Sequence, residues 1–492
     1  MTCFFDKKLT AMSYYEQYET VIGLEVHVQL STLSKAFCAD DLSFGGDPNT
    51  QVSVVSLGHP GTLPMVNERQ IEYAVRLGTA LGCSINASNF FDRKNYFYAD
   101  LPKGYQITQD RTPICMGGVL AIKQGENWLE VPIHHIHMEE DAGKSIHTQD
   151  PKHSFIDLNR AGTPLLEIVT EPALHSGEEV DAFMTAIRQL VRYLGVSDGN
   201  MEQGSLRCDV NISVRKKGAA KLGERCEVKN VNSMRFARMA IDYEVRRQID
   251  LLESGGRVRQ QTLNFDPSTG VTTPLRDKED AHDYRYFPEP DLPPIVLSAE
   301  YLQEIKEQLP PLPRATYEKI TTAYQLSDYD AHLLSEELPQ ATFFLDLCQS
   351  TANYKAAANL IINKIIPYCQ EQRSEIGDFP LSMASLAELI QLMDEDKISN
   401  SVAYQRLFPA LLEHPEKTPA EMAQSLNLMQ TNDADFLQKV AQEVLAQFPD
   451  KVAEYKKGKK GLIGFFMGEL MKRSQGKADP KAATAILQEA LK

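Results

Sequence analysis

The stretch Val21-Ile22-Gly23-Leu24-Glu25-Val26-His27-Val28-Gln29-Leu30 alternates apolar and polar side chains. A period of two places Ile22, Leu24, Val26, Val28 and Leu30 on one side and Glu25, His27 and Gln29 on the other. That is a β-strand buried on one face only. The pattern returns at Leu206–Arg215, with Leu206, Cys208, Val210, Ile212 and Val214 facing the core. Arg207, Asp209, Asn211, Ser213 and Arg215 line its other side. Arg225, Glu227 and Lys229 make a third polar stripe, backed by Cys226 and Val228. Such strands in antiparallel company make a sheet with one charged, wetted face.

The chain has 492 residues, which is too long for one ordinary domain and implies two to four. No run of about 18 apolar residues occurs, so no membrane helix is expected, and the N-terminus lacks the apolar centre of a secretory signal. Met12 is a possible start, and residues 1–17 are expected to be an extension without structure. The eight cysteines, Cys3, Cys38, Cys83, Cys115, Cys208, Cys226, Cys348 and Cys369, include no CxxC pair. Scattered cysteines without a secretory signal point to reduced thiols and a cytoplasmic protein. The net charge of -16 argues against nucleic-acid binding by bulk electrostatics, so any such contact is expected to use local basic patches or to be shared with a partner.

A capping box, Ser176 with Glu179, starts a helix carrying Val180, Phe183, Met184, Ile187, Leu190, Val191 and Leu194, which Gly195 ends. A second helix is predicted from about Ser233 to Glu253, capped by Asn232 and ended by Gly255-Gly256. The prolines of Phe287–Pro294 forbid a continuing helix, and from about residue 298 onward the chain reads as nearly all helix. The expected class is α+β. A mixed or antiparallel sheet domain spans 18–294, an all-α helical domain 295–408 and an all-α tail domain 409–492. In the tail, Lys456-Lys457-Gly458-Lys459-Lys460 forms a compact basic turn.

Five groups of residues can carry chemistry. Glu25 and His27 share a strand face and are close enough to share a metal ion; a merely solvated sheet face is the alternative. His137-Met138-Glu139-Glu140-Asp141-Ala142-Gly143-Lys144-Ser145 holds consecutive acids that repel unless a cation neutralises them. Its Gly-Lys-Ser end is not a phosphate-binding P-loop, because Met138 stands where the first glycine is required. Glu202, Arg207, Asp209, Glu227 and Lys229 mix the carboxylates and cations that phosphoryl transfer needs, or else form cross-strand salt bridges. Arg93-Lys94-Asn95-Tyr96 interleaves cations and rings able to meet a nucleotide or an RNA end. Arg285, in Asp283-Tyr284-Arg285-Tyr286-Phe287, can bring charge over the same site.

In their order, Val21–His27, Phe91–Tyr98, His137–Lys144, Asp157–Leu165, Gly204–Asp209 and Asp283–Asp291 resemble the B subunit of the tRNA-dependent amidotransferases, from about Tyr18 to the end. The resemblance implies a cradle, helical and tail architecture. It implies ATP-dependent phosphorylation of the side-chain carboxylate of Glu-tRNA(Gln) or Asp-tRNA(Asn), followed by amidation. The ammonia would come from glutamine through an amidase, the A subunit of the family's complex, with a small C subunit clasping the pair. The resemblance also implies Mg²⁺ held by His27, Glu140 and Glu227, with Glu25, Glu139, Glu202 and Asp209 completing or orienting the shell. Arg207, Lys229, Lys94 and Lys144 would meet phosphate and the tRNA 3′ end, with Tyr96 and Arg285 beside the nucleotide. The helical and tail parts would hold the tRNA body. A free-standing Mg²⁺-dependent kinase or ligase leaves the helical tail without a purpose. A non-catalytic RNA-binding scaffold leaves the acidic stripes unexplained.

Many members of that family carry a four-cysteine zinc site after the first strand. Here Cys38, Asp40, Ser53 and Ser56 occupy the matching positions, and one thiol with two hydroxyls is too poor a set for structural zinc. The loop is therefore expected to be held by packing, without zinc. Metal analysis of the purified protein checks this, and substantial bound zinc would refute it.

Overall fold

The computed structural model describes residues 14–146, 150, 152–229, 231, 233–277, 285–429, 434–474, 478 and 480–491. The chain divides into two compact units, Met1–Arg314 and Ala315–Lys492.

The first unit is built on a ten-stranded sheet. Its strands are β1 (Tyr18–Gln29), β2 (Ser84–Ile85), β3 (Cys115–Met116), β4 (Val119–Gln124), β5 (Asn127–Glu140), β6 (Pro164–Thr170), β7 (Leu206–Lys216), β8 (Cys226–Lys229), β9 (Gln261–Asp266) and β10 (Val271–Asp277). They lie in the order β10-β9-β8-β7-β1-β6-β5-β3-β2, with β4 paired to β5. Every pairing is antiparallel except β8 with β9, so the sheet is mixed. The alternating stretch lies within β1, near the middle, antiparallel to β7 on one side and to β6 on the other. Its apolar residues Leu24, Val26 and Val28 are buried, whereas Glu25, His27 and Gln29 are partly exposed.

Helices α1 (Glu68–Ala80), α2 (Gly177–Tyr193) and α3 (Met234–Glu253) contribute to the same core as the apolar face of the sheet. In α2 the Ser176 side chain accepts from Glu179 N, as expected. The Glu179 carboxylate, however, reaches back to His175 N at 2.7 Å, one residue before the position that a full capping box uses. In α3 the cap is Ser233, and Asn232 lies outside the described residues. Gly195 and Gly255, at φ +65° and +81°, follow these helices in the left-handed conformation that glycine tolerates.

Two expected boundaries differ. Helix α4 (Ala299–Glu307) lies past the proline seam, yet its Ile305 is buried in the first unit's core, with Leu302, Leu309 and Leu312 packed there. The prolines stop a helix without ending the unit. At the other end, Tyr14 and Tyr15 are ordered, and their hydroxyls donate to Asp250 of α3 at 2.9 and 2.5 Å. The expectation of an unstructured 1–17 therefore fails for these tyrosines, and residues 1–13 lie outside the described residues.

The loop after β1 is tied by a buried cation as well as by packing. Lys35 is 0% exposed. Its Nζ donates to Gln51 O (2.7 Å), Ser56 Oγ (3.4 Å) and Leu158 O (3.5 Å), and lies 3.8 Å from Asp40 Oδ2. Asp40 in turn accepts from Ser53 N at 2.8 Å and Ser56 Oγ at 2.6 Å. Cys38 Sγ sits 3.4 Å from Ser56 Oγ. The four residues at the zinc-site positions thus form one hydrogen-bonded group around an ammonium. Burial lowers the Lys35 pKa, with Asp40 as its nearest opposing charge.

The second unit is helical, with two cores. One runs from Ile320 to Leu428 and the other from Leu437 to Leu491. Pro409 falls inside the first of these, at the start of helix Phe408–Glu413, so the cores separate after Leu428 rather than near residue 409. The π-helical segments Ile361–Ile365 and Ala403–Leu407 each precede a helix with proline in its first turn. A wider turn is one way to accommodate a ring that supplies no N–H. Lys456, Lys457, Lys459 and Lys460 are exposed. Lys459 pairs with Glu454 at 3.1 Å, and Lys460 lies 4.2 Å above the Tyr455 ring. The seven described cysteines are free, and Cys3 lies outside the described residues. Among the described residues no helix is long and apolar enough to cross a membrane.

Lys35→Met keeps the side-chain length and removes the charge, leaving Asp40 and two carbonyls without their shared donor. It is expected to cost about 3 kcal/mol in urea unfolding of the protein. A loss below about 0.5 kcal/mol would show that packing alone holds the loop.

Candidate catalytic site on the polar face of the sheet

Strand register decides which polar side chains meet. His27 lies opposite Glu167 on β6 and Arg207 on β7, and Glu167 lies opposite His137 on β5. One row therefore reads His137–Glu167–His27–Arg207 across four strands. Two residues along β1, Glu25 lies opposite Asp209; beyond it Asn211 pairs with Glu227 of β8. Directly opposed residues share a face of a sheet, so these side chains converge without help from loops.

Among the described residues two groups bring ligand atoms within 4.8 Å of one another, His27–Glu139–Glu167 and Glu25–Asp209–Glu227. In the first, His27 Nε2 lies 3.3 Å from Glu167 Oε2 and 3.5 Å from Glu139 Oε1. His137 Nε2 approaches the same carboxylates at 3.4 and 3.7 Å. Gln106 donates to Glu139 Oε2 at 3.0 Å from the strand Tyr105–Thr108. In the second, Asn211 Nδ2 donates to Glu25 Oε1 at 2.9 Å. Lys229 Nζ donates to Asp209 Oδ2 at 2.6 Å and pairs with Glu227 Oε1 at 2.9 Å, while Thr262 donates to Glu227 Oε2 at 3.0 Å.

The titration shifts record crowded negative charge. For His27, burial alone would lower the pKa, but the Glu167 hydrogen bond and charge, with Glu139, lift it to about 9. His137 rises to about 10 against burial, through Glu167 and Glu139. Glu167, which burial would raise, is held well below its usual range by His137 and His27. Glu25 is raised, first by burial and then by the charges of Glu167 and Glu227. His135 is lowered to about 4 by burial and by its neighbours His137 and His134. Without a metal ion, protons on His27 and His137 balance the first group. The all-oxygen second group suits a hard divalent cation, and the first offers two carboxylates and one imidazole.

The expected trio of His27, Glu140 and Glu227 is not brought together. His27 and Glu227 fall in different groups. Period two turns Glu140 to the opposite side of β5 from Glu139. There its Oε1 accepts from Ile107 N at 2.9 Å and is paired with Lys103. Glu25 and His27 share a face, as expected, but serve neighbouring groups. Glu139, Asp209, Arg207 and Lys229 stand at the site. Arg207 Nη1 lies 2.9 Å from Asp141 Oδ2, and burial of its guanidinium is outweighed by Asp141, Glu139 and Asp209, which raise its pKa. Glu202 is exposed in a turn before β7, Lys144 is exposed across from Asp157, and Arg285 is exposed with its carbonyl accepting from Asn95 at 2.8 Å. Asp283, Tyr284 and His147 lie outside the described residues.

Lys94 lines an open cleft of about 520 Å³ beside the first group, together with Arg111, His134, His135, His137 and Glu167. Tyr96 is partly buried, its ring 5.8 Å from Lys94 Nζ. Burial raises its pKa first, followed by the charges of Glu139, Glu140 and Asp141. Glu167 is the site residue that the sequence reading missed. Its signal was present, because it is the only charged residue in the otherwise apolar run Pro164-Leu165-Leu166-Glu167-Ile168-Val169.

Two family models match this chain, one described as the GatB/GatE catalytic domain over residues 20–303 and one as the GatB domain over residues 342–491. A protein of Persephonella marina is 45% identical over 97% of this chain and 100% of its own length. One of Salinibacter ruber is 45% identical over 97% of each, and one of Myxococcus xanthus 43% identical over 96% of this chain and 98% of its own. All three are named as the B subunit of an aspartyl/glutamyl-tRNA(Asn/Gln) amidotransferase. The catalytic-domain match covers every strand of the sheet but the first two residues of β1, so the polar face lies almost wholly within it, and the chain belongs to the family of amidotransferase B subunits.

Proposed function

We propose that the chain activates the side-chain carboxylate of Glu-tRNA(Gln) or Asp-tRNA(Asn) at the polar sheet face, for amidation to Gln-tRNA(Gln) or Asn-tRNA(Asn). The observation that carries the reading is the pair of adjacent ligand groups on one rigid sheet face, with Arg207 and Lys229 among them. Family membership supports the ATP-dependent amidotransferase reaction. The partners would be the amidase (the A subunit) that frees ammonia from glutamine, the small C subunit, and misacylated tRNA.

The chemistry has two parts. The substrate carboxylate attacks the γ-phosphorus of ATP, the bond to the β–γ bridging oxygen breaks, and ADP leaves. Ammonia then attacks the acyl phosphate carbon, phosphate leaves, and the nitrogen gives up one proton. A carboxylate is a poor acyl donor because oxide is a bad leaving group; phosphate is a good one. His27, Glu139 and Glu167 would hold one Mg²⁺ ion, and Glu25, Asp209 and Glu227 a second. Bound there, Mg²⁺ neutralises phosphate charge. Arg207 and Lys229 supply fixed positive charge among the acids, aimed at charge that grows during phosphoryl transfer. Lys94 and Arg111, in the cleft beside Glu167, are placed for the phosphates or the 3′-terminal nucleotide of the substrate. The basic turn Lys456–Lys460 is a candidate for the tRNA backbone. The loop around Lys35 is read as free of zinc, with the Lys35 ammonium 3.8 Å from Asp40 Oδ2 as the positive charge beside it.

Glu167→Gln keeps the shape of the side chain and removes a ligand charge. In the reconstituted complex it should lower ATP-dependent amidation of misacylated tRNA at least about 100-fold, with glutaminase activity retained. Amidation at near-normal rates would overturn the first ligand group.

The pH dependence has a definite sign. In the metal-free protein His27 is raised from 6.5 to about 9, so its contribution to stability is complete below about pH 6.5 and is lost as pH rises through about 9. Ligation needs the neutral imidazole. Mg²⁺ uptake near neutral pH should therefore release protons, and affinity should strengthen as pH rises toward 9. Calorimetric titration in buffers of different ionisation enthalpy measures this. Proton-neutral binding with pH-independent affinity would remove His27 from the ligand set.

A further inference from the structure

We propose that Asp141 is a positioning residue, which holds the Arg207 guanidinium among the carboxylates of the two ligand groups so that it meets the transferring phosphoryl group. The proposal rests on the reading of Arg207 given under the proposed function.

Asp141 follows β5 and is 7% exposed. Its Oδ2 accepts from Gln29 Nε2 at 2.9 Å, lies 2.9 Å from Arg207 Nη1, and is 3.5 Å from Arg160 Nε. Its Oδ1 accepts from Ala142 N at 2.9 Å. The backbone is fixed as firmly as the side chain. Asp141 N donates to Thr163 O and Gly162 N donates to Asp141 O, both at 2.9 Å. Arg160 closes the brace, with Nε donating to Ala142 O at 3.0 Å and Nη2 to Gly143 O at 2.6 Å. The segment Asp157–Leu165, which the catalytic reading leaves without a task, thus braces the segment His137–Lys144.

Arg207 needs such an anchor. Its side chain is long and flexible, and it stands among Glu139 and Asp209, one carboxylate from each ligand group. Unrestrained, a guanidinium there would fold onto either carboxylate and compete with a cation for it. Asp141 lies beyond the end of the ligand rows and belongs to neither group. It takes one of the five donors of the guanidinium, and so anchors the end of the side chain at Nη1 without occupying a ligand. The entropy of ordering Arg207 is then lost on folding rather than during the reaction. Gln29, two residues beyond His27 on the same face of β1, aligns the carboxylate from the other side.

The test is a double-mutant cycle in the reconstituted amidotransferase, assayed for ATP-dependent amidation with ammonium as nitrogen donor. Asp141→Asn should lower kcat about 10- to 100-fold, with little change in the KM for misacylated tRNA. Gln29→Ala should lower it less. In the Arg207→Ala background both effects should vanish to within about twofold, because a residue acting through Arg207 has nothing left to position. If the Asp141→Asn loss instead multiplies with that of Arg207→Ala, Asp141 only supports its loop and the proposal is overturned. If Arg207→Ala itself amidates normally, the reading of Arg207 falls and the positioning role with it. Should Asp141→Asn fail to fold, the Gln29→Ala cycle decides by the same criterion.

Discussion

Antiparallel pairing of β1 with β7 and β6 is the constraint on which the rest of the molecule depends. It sets His27 against Arg207 and Glu167, and Glu25 against Asp209. A slip of one residue would turn every one of these side chains into the core. The same slip would expose Leu24, Val26, Val28, Cys208, Val210 and Ile212, all buried now. The hydrophobic effect therefore specifies the register of the candidate site, because the apolar face cannot be satisfied unless the polar face is assembled. Stability and function are read from opposite sides of the same strands.

Such an arrangement places charge where a fold ordinarily avoids it. Glu139, Glu227 and His137 are buried, and Glu25 is raised by burial and by neighbouring acids. The cations available, Lys229, Arg207 and the protonated His27 and His137, answer this only in part. That imbalance distinguishes the face from a salt-bridged surface. At the loop after β1 the opposite solution is found, where Lys35 balances Asp40 and hydrogen bonds satisfy the remaining partners. The two places share the problem of buried carboxylate. One is balanced by a cation of the chain itself, and the other is the place where the proposed function sets a cation from outside.

Much of this was legible in the sequence. The three alternating segments gave the central strands and their wetted face, and the capping serine and terminal glycine gave α2. Alternation also held a distinction that motif matching passed over: His137 and Glu139 share a face, and Glu140 does not. Glu167 was visible as a lone acid in an apolar strand, but its partners were not. β1, β6 and β7 are far apart in the chain, and no local pattern states which strands will pair. Lys144, Glu202 and Arg285 stand in neither ligand group, for the complementary reason. Each lies close in sequence to a site residue or motif, but on a turn, on the first residue of a short strand or in a connecting segment, where the period does not constrain direction.

Loops at the ends of the strands finish what the sheet begins. A row of acids offers ligands but does not by itself hold a flexible cation in one place, since more than one carboxylate of the row attracts it. Directing Arg207 requires a negative charge outside the row, fixed by its own backbone. Asp141 meets that requirement because β5 ends beside it and the Arg160–Thr163 turn closes over it. The dense hydrogen bonding between segments 141–144 and 157–163 then has a physical purpose. It ties one carboxylate to the end of the sheet, and the proposed phosphate-binding face would inherit that order through a single guanidinium.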